Sequence, residues 1–187
     1  MRVVYLLVVV FCLGLLIGCA DVPQQEIDNA QAALEAAKNA GADQYVPDQY
    51  NAAKSQLDDA LAKIEEEKGG LFASYDEAIQ MLQNATQAAE AAAAAVPAAK
   101  EKVKQEVESL LAQVPEAVEK AKTMWRRAPR GKGTREALQL IKNDIEATAA
   151  QVEQVNQAHE AGDYLTARQR AQALLDKLQS LQAELQR

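Results

Sequence analysis

Residues 134–187 read TREALQLIKNDIEATAAQVEQVNQAHEAGDYLTARQRAQALLDKLQSLQAELQR, and the spacing of their apolar side chains indicates how this part of the chain folds. On each side of Ala161-Gly162-Asp163 these side chains recur at alternating intervals of three and four residues, which places them on one face of an α-helix. This regularity predicts an antiparallel helical hairpin, with Thr134 and Asp163 as the N-caps of its two arms. Folding at the turn pairs Leu138/Leu185, Ile141/Leu181, Ile145/Leu178, Thr148/Leu174, Val152/Ala171, Val155/Ala167 and His159/Tyr164.

Two further helices are predicted near the N-terminus. The first runs from Pro23 to Ala40, and Gly41 follows it as a C-terminal stop signal. The second begins at Pro47, because proline fits the first turn of a helix, and ends before Gly69-Gly70. Its predicted buried face consists of Ala53, Leu57, Leu61 and Ile64.

A long helix is predicted between these segments, from a capping box at Ser74 and Glu77 to Arg127. Pro97 and Pro115 interrupt its hydrogen bonding, so we expect a single kinked path, with two helices broken at residues 96–97 as the alternative. Nine of the twelve residues from 88 to 99 are alanine. This alanine face either lets another helix approach closely or only favours helix by propensity.

Together these helices predict an all-α protein: an elongated antiparallel bundle of coiled-coil hairpins, with two three-helix bundles sharing the long kinked helix. The predicted domains are an N-terminal three-helix bundle over residues 22–95 and a C-terminal bundle over residues 96–187. The N-terminal part contains alanine-rich helices and a Gly-Ala-x-x-Tyr-x-Pro turn from Gly41 to Pro47. With these features, residues 22–95 resemble an uncharacterised helical domain of bacterial envelope lipoproteins. That domain is sometimes followed by a peptidoglycan-binding domain, but residues 96–187 show no such pattern, so peptidoglycan binding is not implied.

The N-terminus carries a second signal. Arg2 precedes an uncharged apolar run that ends in Leu16-Ile17-Gly18-Cys19, and the run is shorter than a bilayer-spanning helix. The motif resembles the lipobox of bacterial lipoproteins. That resemblance implies cleavage of residues 1–18, alkylation of the Cys19 thiol with a diacylglycerol that carries fatty acids such as palmitate, and a short tether over residues 19–21. The alternative is an uncleaved N-terminal membrane helix.

The resemblance also bears on location. In enteric lipoproteins, aspartate directly after the lipidated cysteine implies retention in the inner membrane. Here Ala20 follows Cys19, and Asp21 comes one position later. We therefore expect anchoring in the outer membrane, facing the periplasm, rather than in the inner membrane.

Composition argues against several classes of function. Cleavage after residue 18 removes one base and no acid, so the net charge changes from −7 to −8, which disfavours nucleic-acid binding. Cys12 leaves with the signal, so no disulfide is expected within the mature chain. His159 is the only histidine and has no free cysteine to join it as a ligand, so neither a metal nor a cofactor is expected. The sequence shows no group of residues typical of a catalytic nucleophile with its base, and no paired carboxylates, so an enzyme is not expected either.

One surface feature stands out in this acidic protein: five bases lie within ten residues, beside the only tryptophan, Trp125. They are either a contact for a partner or for anionic lipid, or a solvated loop that neutralises helix carbonyls. Trp125 is either an interface anchor or a cap on the end of a bundle. The bases are Arg126, Arg127, Arg130, Lys132 and Arg135.

These observations favour a non-enzymatic envelope lipoprotein that acts as a helical scaffold, spacer or adaptor. The membrane would hold its lipid, an envelope protein would be its partner, and self-association is an option for a heptad-rich hairpin. The alternative is a helical bundle that binds a small or lipidic ligand. With aromatics at only 4% of residues, a deep pocket for such a ligand is not expected.

Overall fold

The computed structural model describes residues 21–68, 70, 74–131 and 134–186, and in these ranges all regular structure is α-helix. The predicted all-α class is therefore confirmed. None of the described helices is both long and apolar enough to cross a membrane. The helices are α1 (Gln24–Ala40), α2 (Ala42–Tyr45), α3 (Pro47–Glu67), α4 (Asp76–Arg127), α5 (Arg135–Ala150), α6 (Val152–Glu160) and α7 (Tyr164–Glu184).

The chain divides into two compact units at the Val96–Pro97 bond. In the first unit, α1, α3 and α4 contribute to the hydrophobic cores. In the second unit, the cores are formed by α4, by α5 and α6 together, and by α7. These cores support the finer interpretation of two three-helix bundles, which remains a prediction.

The helix boundaries in the first unit follow from Gly41 and Pro47. Gly41 adopts φ +93°, where glycine is favoured, and its amide donates to Lys38 O at 2.8 Å, which ends α1. Pro47 lies in the first turn of α3, as predicted. The intervening residues were predicted to form a turn, but they form the short helix α2, in which the Tyr45 amide donates to Gly41 O at 3.0 Å.

The main core of the first unit contains residues of α1, α3 and α4. Leu61 is only partly buried, whereas Ala60 is fully buried, so the buried face of α3 is rotated slightly from the predicted one. The core consists of Ile27, Ala30, Leu57, Ala60, Ile64, Tyr75, Ala78, Leu82 and Ala85.

A charged cluster joins the end of α3 to the start of α4. Lys63 Nζ lies 3.2 Å from Glu67 Oε1, 3.3 Å from Glu77 Oε2 and 3.5 Å from Glu66 Oε2. The hydrogen bond to Glu67 is the largest influence, followed by the one to Glu77, and together they raise the pKa of Lys63 above its ordinary value. The predicted capping box is wrong, because Glu77 turns to Lys63 and Ser74 Oγ donates to Asp76 Oδ2 at 3.1 Å.

The alanine face packs inside the first unit. Ala89 and Ala92 of α4 meet Ala37 of α1 and Ala53 of α3 in a second core, and all four are at most 2% exposed. Because methyl groups line this core from three helices, the helix axes can approach closely. The alanines therefore serve close packing as well as helix propensity.

Replacing Ala92, which is 0% exposed, with leucine is expected to overpack this core. The free energy of unfolding should fall by about 1–3 kcal/mol, measured by urea denaturation. The matched control is Ala91→Leu, because Ala91 is the exposed neighbour on the same helix and leucine is also a good helix former. Equal stability of the two variants would mean that the face serves propensity alone.

Helix α4 runs unbroken through Pro97 and Pro115, so the alternative of two helices broken at residues 96–97 is wrong. Both prolines are exposed. The carbonyls that they leave without a donor belong to Ala93 and Leu111, four residues earlier on the same face, where water can reach them. The missing hydrogen bonds therefore cost less than they would inside a core.

In the second unit, the predicted hairpin is formed by α5 and α6 packed against α7. Asp163 Oδ1 accepts from the Thr166 amide at 3.2 Å, and the His159 and Tyr164 rings lie 5.5 Å apart beside the turn, both as predicted. Of the predicted layer positions, the buried ones are Ile145, Thr148, Val155, Ala167, Ala171, Leu174, Leu178 and Leu181, and the partly buried ones are Leu138, Ile141, Val152, His159, Tyr164 and Leu185. Ala158, Leu175 and Gln182 are also buried.

One feature of this arm was not predicted: it divides at Gln151. The Gln151 amide donates to Thr148 O at 3.2 Å, and the Gln154 amide donates to Gln151 O at 3.0 Å, so the turn is tighter than an α-helix. A strict three–four alternation averages 3.5 residues per turn, slightly fewer than the 3.6 of a straight helix. The tight turn lowers the average and keeps the apolar face toward α7.

Candidate functional site

Trp125 lies in the last turn of α4 and closes one end of the core of the second unit. Its partly buried ring packs against a core formed by α4, α5 and α7. Its indole Nε1 donates to Leu138 O in the first turn of α5 at 2.7 Å. Trp125 therefore joins two helices across the loop between them, and it has the bundle-capping position that was one of its two predicted roles.

The loop that follows Trp125 is tied back by Thr134. The Gly131 amide donates to Thr134 Oγ1 at 2.8 Å, and this hydroxyl also lies 3.2 Å from Gly131 O. Thr134 is at the predicted N-cap position of α5, but its side chain does not cap the helix. That prediction is corrected: the hydroxyl orders the loop instead of the first turn of α5.

Two cations lie over the Trp125 ring. The Arg130 guanidinium carbon is 5.3 Å from the ring centroid, and Lys142 Nζ is 5.8 Å from it. At these distances the quadrupole of the indole attracts a positive charge. The ring thus holds a loop cation and a helix cation beside each other, although the two residues are far apart in sequence.

The arginines at this end have no carboxylate partners within the described ranges. Arg126 donates to Thr123 Oγ1 at 2.9 Å, and Arg130 contacts the Trp125 ring. Arg127 and Arg135 are exposed. Elsewhere in the same unit, Arg168 pairs with Glu106 at 3.0 Å.

The two lysines near Trp125 are paired. Lys122 Nζ lies 2.9 Å from Glu119 Oε1, and this hydrogen bond is the main reason that the pKa of the Glu119 carboxyl is below its ordinary value. Lys142 Nζ lies 3.5 Å from Glu146 Oε1. The uncompensated positive charge at this end therefore belongs to the arginines.

Two clefts share Trp125 as a wall. The larger has a volume of ≈ 840 Å³ and is lined by Trp125, Arg130, Gly131, Arg135, Glu136, Leu138 and Gln139. The smaller has a volume of ≈ 190 Å³ and is lined by Lys122, Trp125, Arg126, Lys142, Ile145 and Glu146. We call the lining of these two clefts the Trp125 surface.

The structure brings together part of the set that the sequence singled out. Arg130 and Arg135 line the larger cleft and Arg126 lines the smaller one, whereas Arg127 is exposed beside them and lines neither. Lys132 lies outside the described residues, as does Cys19. Sequence reasoning missed Lys122 and Lys142. Lys122 could have been found, because it lies three residues before Trp125 on the same helix. The approach of Lys142 to Trp125 depends on how α5 packs on α4.

The remaining candidate features of the second unit are weaker. A groove of ≈ 970 Å³ between α4 and α7 includes the ion pair of Arg168 and Glu106. His159 Nε2 lies 3.6 Å from Glu108 Oε1. Throughout the part of the chain that the structure describes, no three His, Cys, Asp or Glu side chains are grouped to hold a metal ion.

No protein-family model, curated protein or solved structure matches this chain. The Trp125 surface is therefore interpreted from its own geometry and charge.

Proposed function

We propose that this protein is a non-enzymatic, lipid-anchored protein of the bacterial envelope that acts as a helical scaffold, spacer or adaptor. Its lipid would be attached at Cys19, and the outer membrane, on its periplasmic side, would be the site of anchoring. Its contact with a partner protein would be made through the Trp125 surface. The observation that supports this contact is the group of four arginines near a partly buried tryptophan, none of which forms an ion pair with a described carboxylate.

A protein interface suits these residue types. Tryptophan and arginine are enriched among the residues that contribute most to binding, and such residues lie in concave, well-packed places. Trp125 and Arg130 are already in contact in the free protein, so binding costs less ordering of their side chains. Exposed arginines at the rim would also speed association with an acidic partner.

The alternative function, binding of a small or lipidic ligand inside the bundle, has less support. The seam between the helices of the first unit is lined by alanines that are at most 2% exposed, which leaves little room for a ligand. The groove between α4 and α7 is lined mainly by polar and charged side chains. A lipid between helices requires an apolar cavity instead.

In-cell photo-crosslinking tests the proposed contact. A photoreactive residue replaces Arg127, which is exposed and lines neither cleft, and a control probe replaces Glu160, exposed at the hairpin turn. We expect a discrete protein band from position 127 that is absent from position 160, identified by mass spectrometry. Crosslinks only to lipid, or only to other copies of this chain, would contradict the adaptor function.

A further inference from the structure

The Trp125 surface also indicates what kind of partner segment it binds. We infer that it binds an extended protein segment carrying clustered carboxylates, received in the two clefts that share Trp125 as a wall. This inference rests on the proposed function and adds the chemistry of the partner. Three properties of the Trp125 surface support it: its charge, the type of its cations and its shape.

The charge of this surface is opposite to that of the protein. The chain has 27 acidic and 20 basic residues, yet Arg126, Arg130 and Arg135 of this surface, and Arg127 beside it, form no ion pair with a described carboxylate. The charge of Arg126 does contribute to lowering the pKa of the Glu119 carboxyl. A group of like charges repels itself and destabilises the free protein slightly. An anionic ligand relieves that repulsion, so the surface is complementary to carboxylates.

The type of cation also matters. A guanidinium offers parallel N–H donors that match both oxygens of one carboxylate, whereas the ammonium of lysine is a point charge. The lysines of the Trp125 surface are paired with Glu119 and Glu146, and the arginines remain available. Trp125 holds Arg130 over its ring, which orients one guanidinium beside the larger cleft.

The shape of the surface favours a peptide over a bilayer. An aromatic residue that inserts into a membrane exposes its ring, but the Trp125 ring is partly buried in the core and its N–H is bonded to Leu138 O. The two clefts that share Trp125 as a wall are concave. An extended chain can place side chains into both clefts, because every second side chain lies on the same face.

Fluorescence anisotropy with a labelled oligoglutamate peptide tests the inference, with an oligoglutamine peptide of equal length as the matched probe. The protein is the full-length lipidated chain in nonionic detergent micelles. We expect oligoglutamate to bind, oligoglutamine to bind at least about tenfold more weakly, and added salt to weaken the oligoglutamate complex.

Two double variants separate this surface from general charge. Arg130→Gln/Arg135→Gln removes both arginines of the larger cleft, and Lys38→Gln/Lys54→Gln removes two exposed charges from the first unit. We expect the first variant to weaken oligoglutamate binding about tenfold or more and the second less than twofold. All four positions are exposed, and circular dichroism checks that both variants remain helical.

Three results would overturn the inference: no binding of oligoglutamate, equal binding of the two peptides, or equal weakening by the two double variants. A fourth is displacement of the peptide by phosphatidylglycerol in the micelles at equal anion concentration, which would make a lipid headgroup the ligand. If the position-127 crosslink to a partner persists in the Arg130→Gln/Arg135→Gln chain, the adaptor function stands and the carboxylate inference fails. If no protein crosslinks from position 127 in the wild type, the proposed function itself fails.

Discussion

Ile145→Asp is expected to unfold the second unit while the first unit remains folded. Ile145 is 1% exposed and packs among Val114, Val118 and Leu178. The substitution removes a buried aliphatic side chain, worth about 2 kcal/mol, and places a carboxylate among the apolar side chains of this core. The free energy of unfolding of this unit should fall by about 4 kcal/mol or more, a large share of the stability of a small domain.

Hydrogen–deuterium exchange read by mass spectrometry measures this effect along the chain. Amides in α5, α6 and α7 should lose protection, and those in α1 and α3 should keep it. The control is Leu140→Asp, the same kind of change on the same helix at a side chain that is 66% exposed. It should change stability by no more than about 0.5 kcal/mol. Simultaneous loss of protection in α1 and α3 would contradict independent folding of the two units.

Cys19→Ala is expected to release the protein from the membrane fraction. The proposed anchor is a set of fatty acyl chains on Cys19, and each buried CH₂ contributes about 0.8 kcal/mol, so two or three chains hold a protein on a bilayer. Without the thiol no diacylglycerol can be attached. Fractionation followed by immunoblotting, with metabolic labelling by a palmitate analogue, measures both location and lipidation.

The matched control for this experiment is Cys12→Ala. Cys12 lies within the stretch that is proposed to be cleaved, so its loss should leave both the lipid label and the membrane location unchanged. A Cys19→Ala chain that remains in the membrane fraction, with residues 1–18 still attached, would indicate an uncleaved membrane helix instead of a lipoprotein.

Much of the helical structure could be predicted from spacing and stop signals. Gly41 ends α1 and Pro47 starts α3 through backbone preferences that need no tertiary contact. The layers from Ile145 to Tyr164 follow from a three–four alternation that only one helical face satisfies. Such features depend on residues that are close together in the chain, so they can be predicted from a single sequence.

Predictions failed where a polar side chain had more than one nearby partner. Glu77 was expected to cap α4, but Lys63 of α3 offers it an opposite charge at 3.3 Å. Thr134 was expected to cap α5, but the Gly131 amide in the loop takes its hydroxyl. Gln182 is polar and lies outside the predicted apolar positions of the last helix, yet it is buried, and its Nε2 donates to Ala117 O at 3.0 Å. The choice among partners depends on which helix lies closest.

The sequence by itself determined that this chain is helical, where most of its helices begin and end, and which faces they bury, because periodicity and backbone preference act within a few residues. It also contains the lipobox-like motif on which the proposed anchoring rests. Only the tertiary structure decided that Leu138 O, Arg130 and Lys142 gather around Trp125. The physical reason is that this meeting depends on the packing of α5 against α4 across a loop, and no local pattern specifies the position of one helix on another.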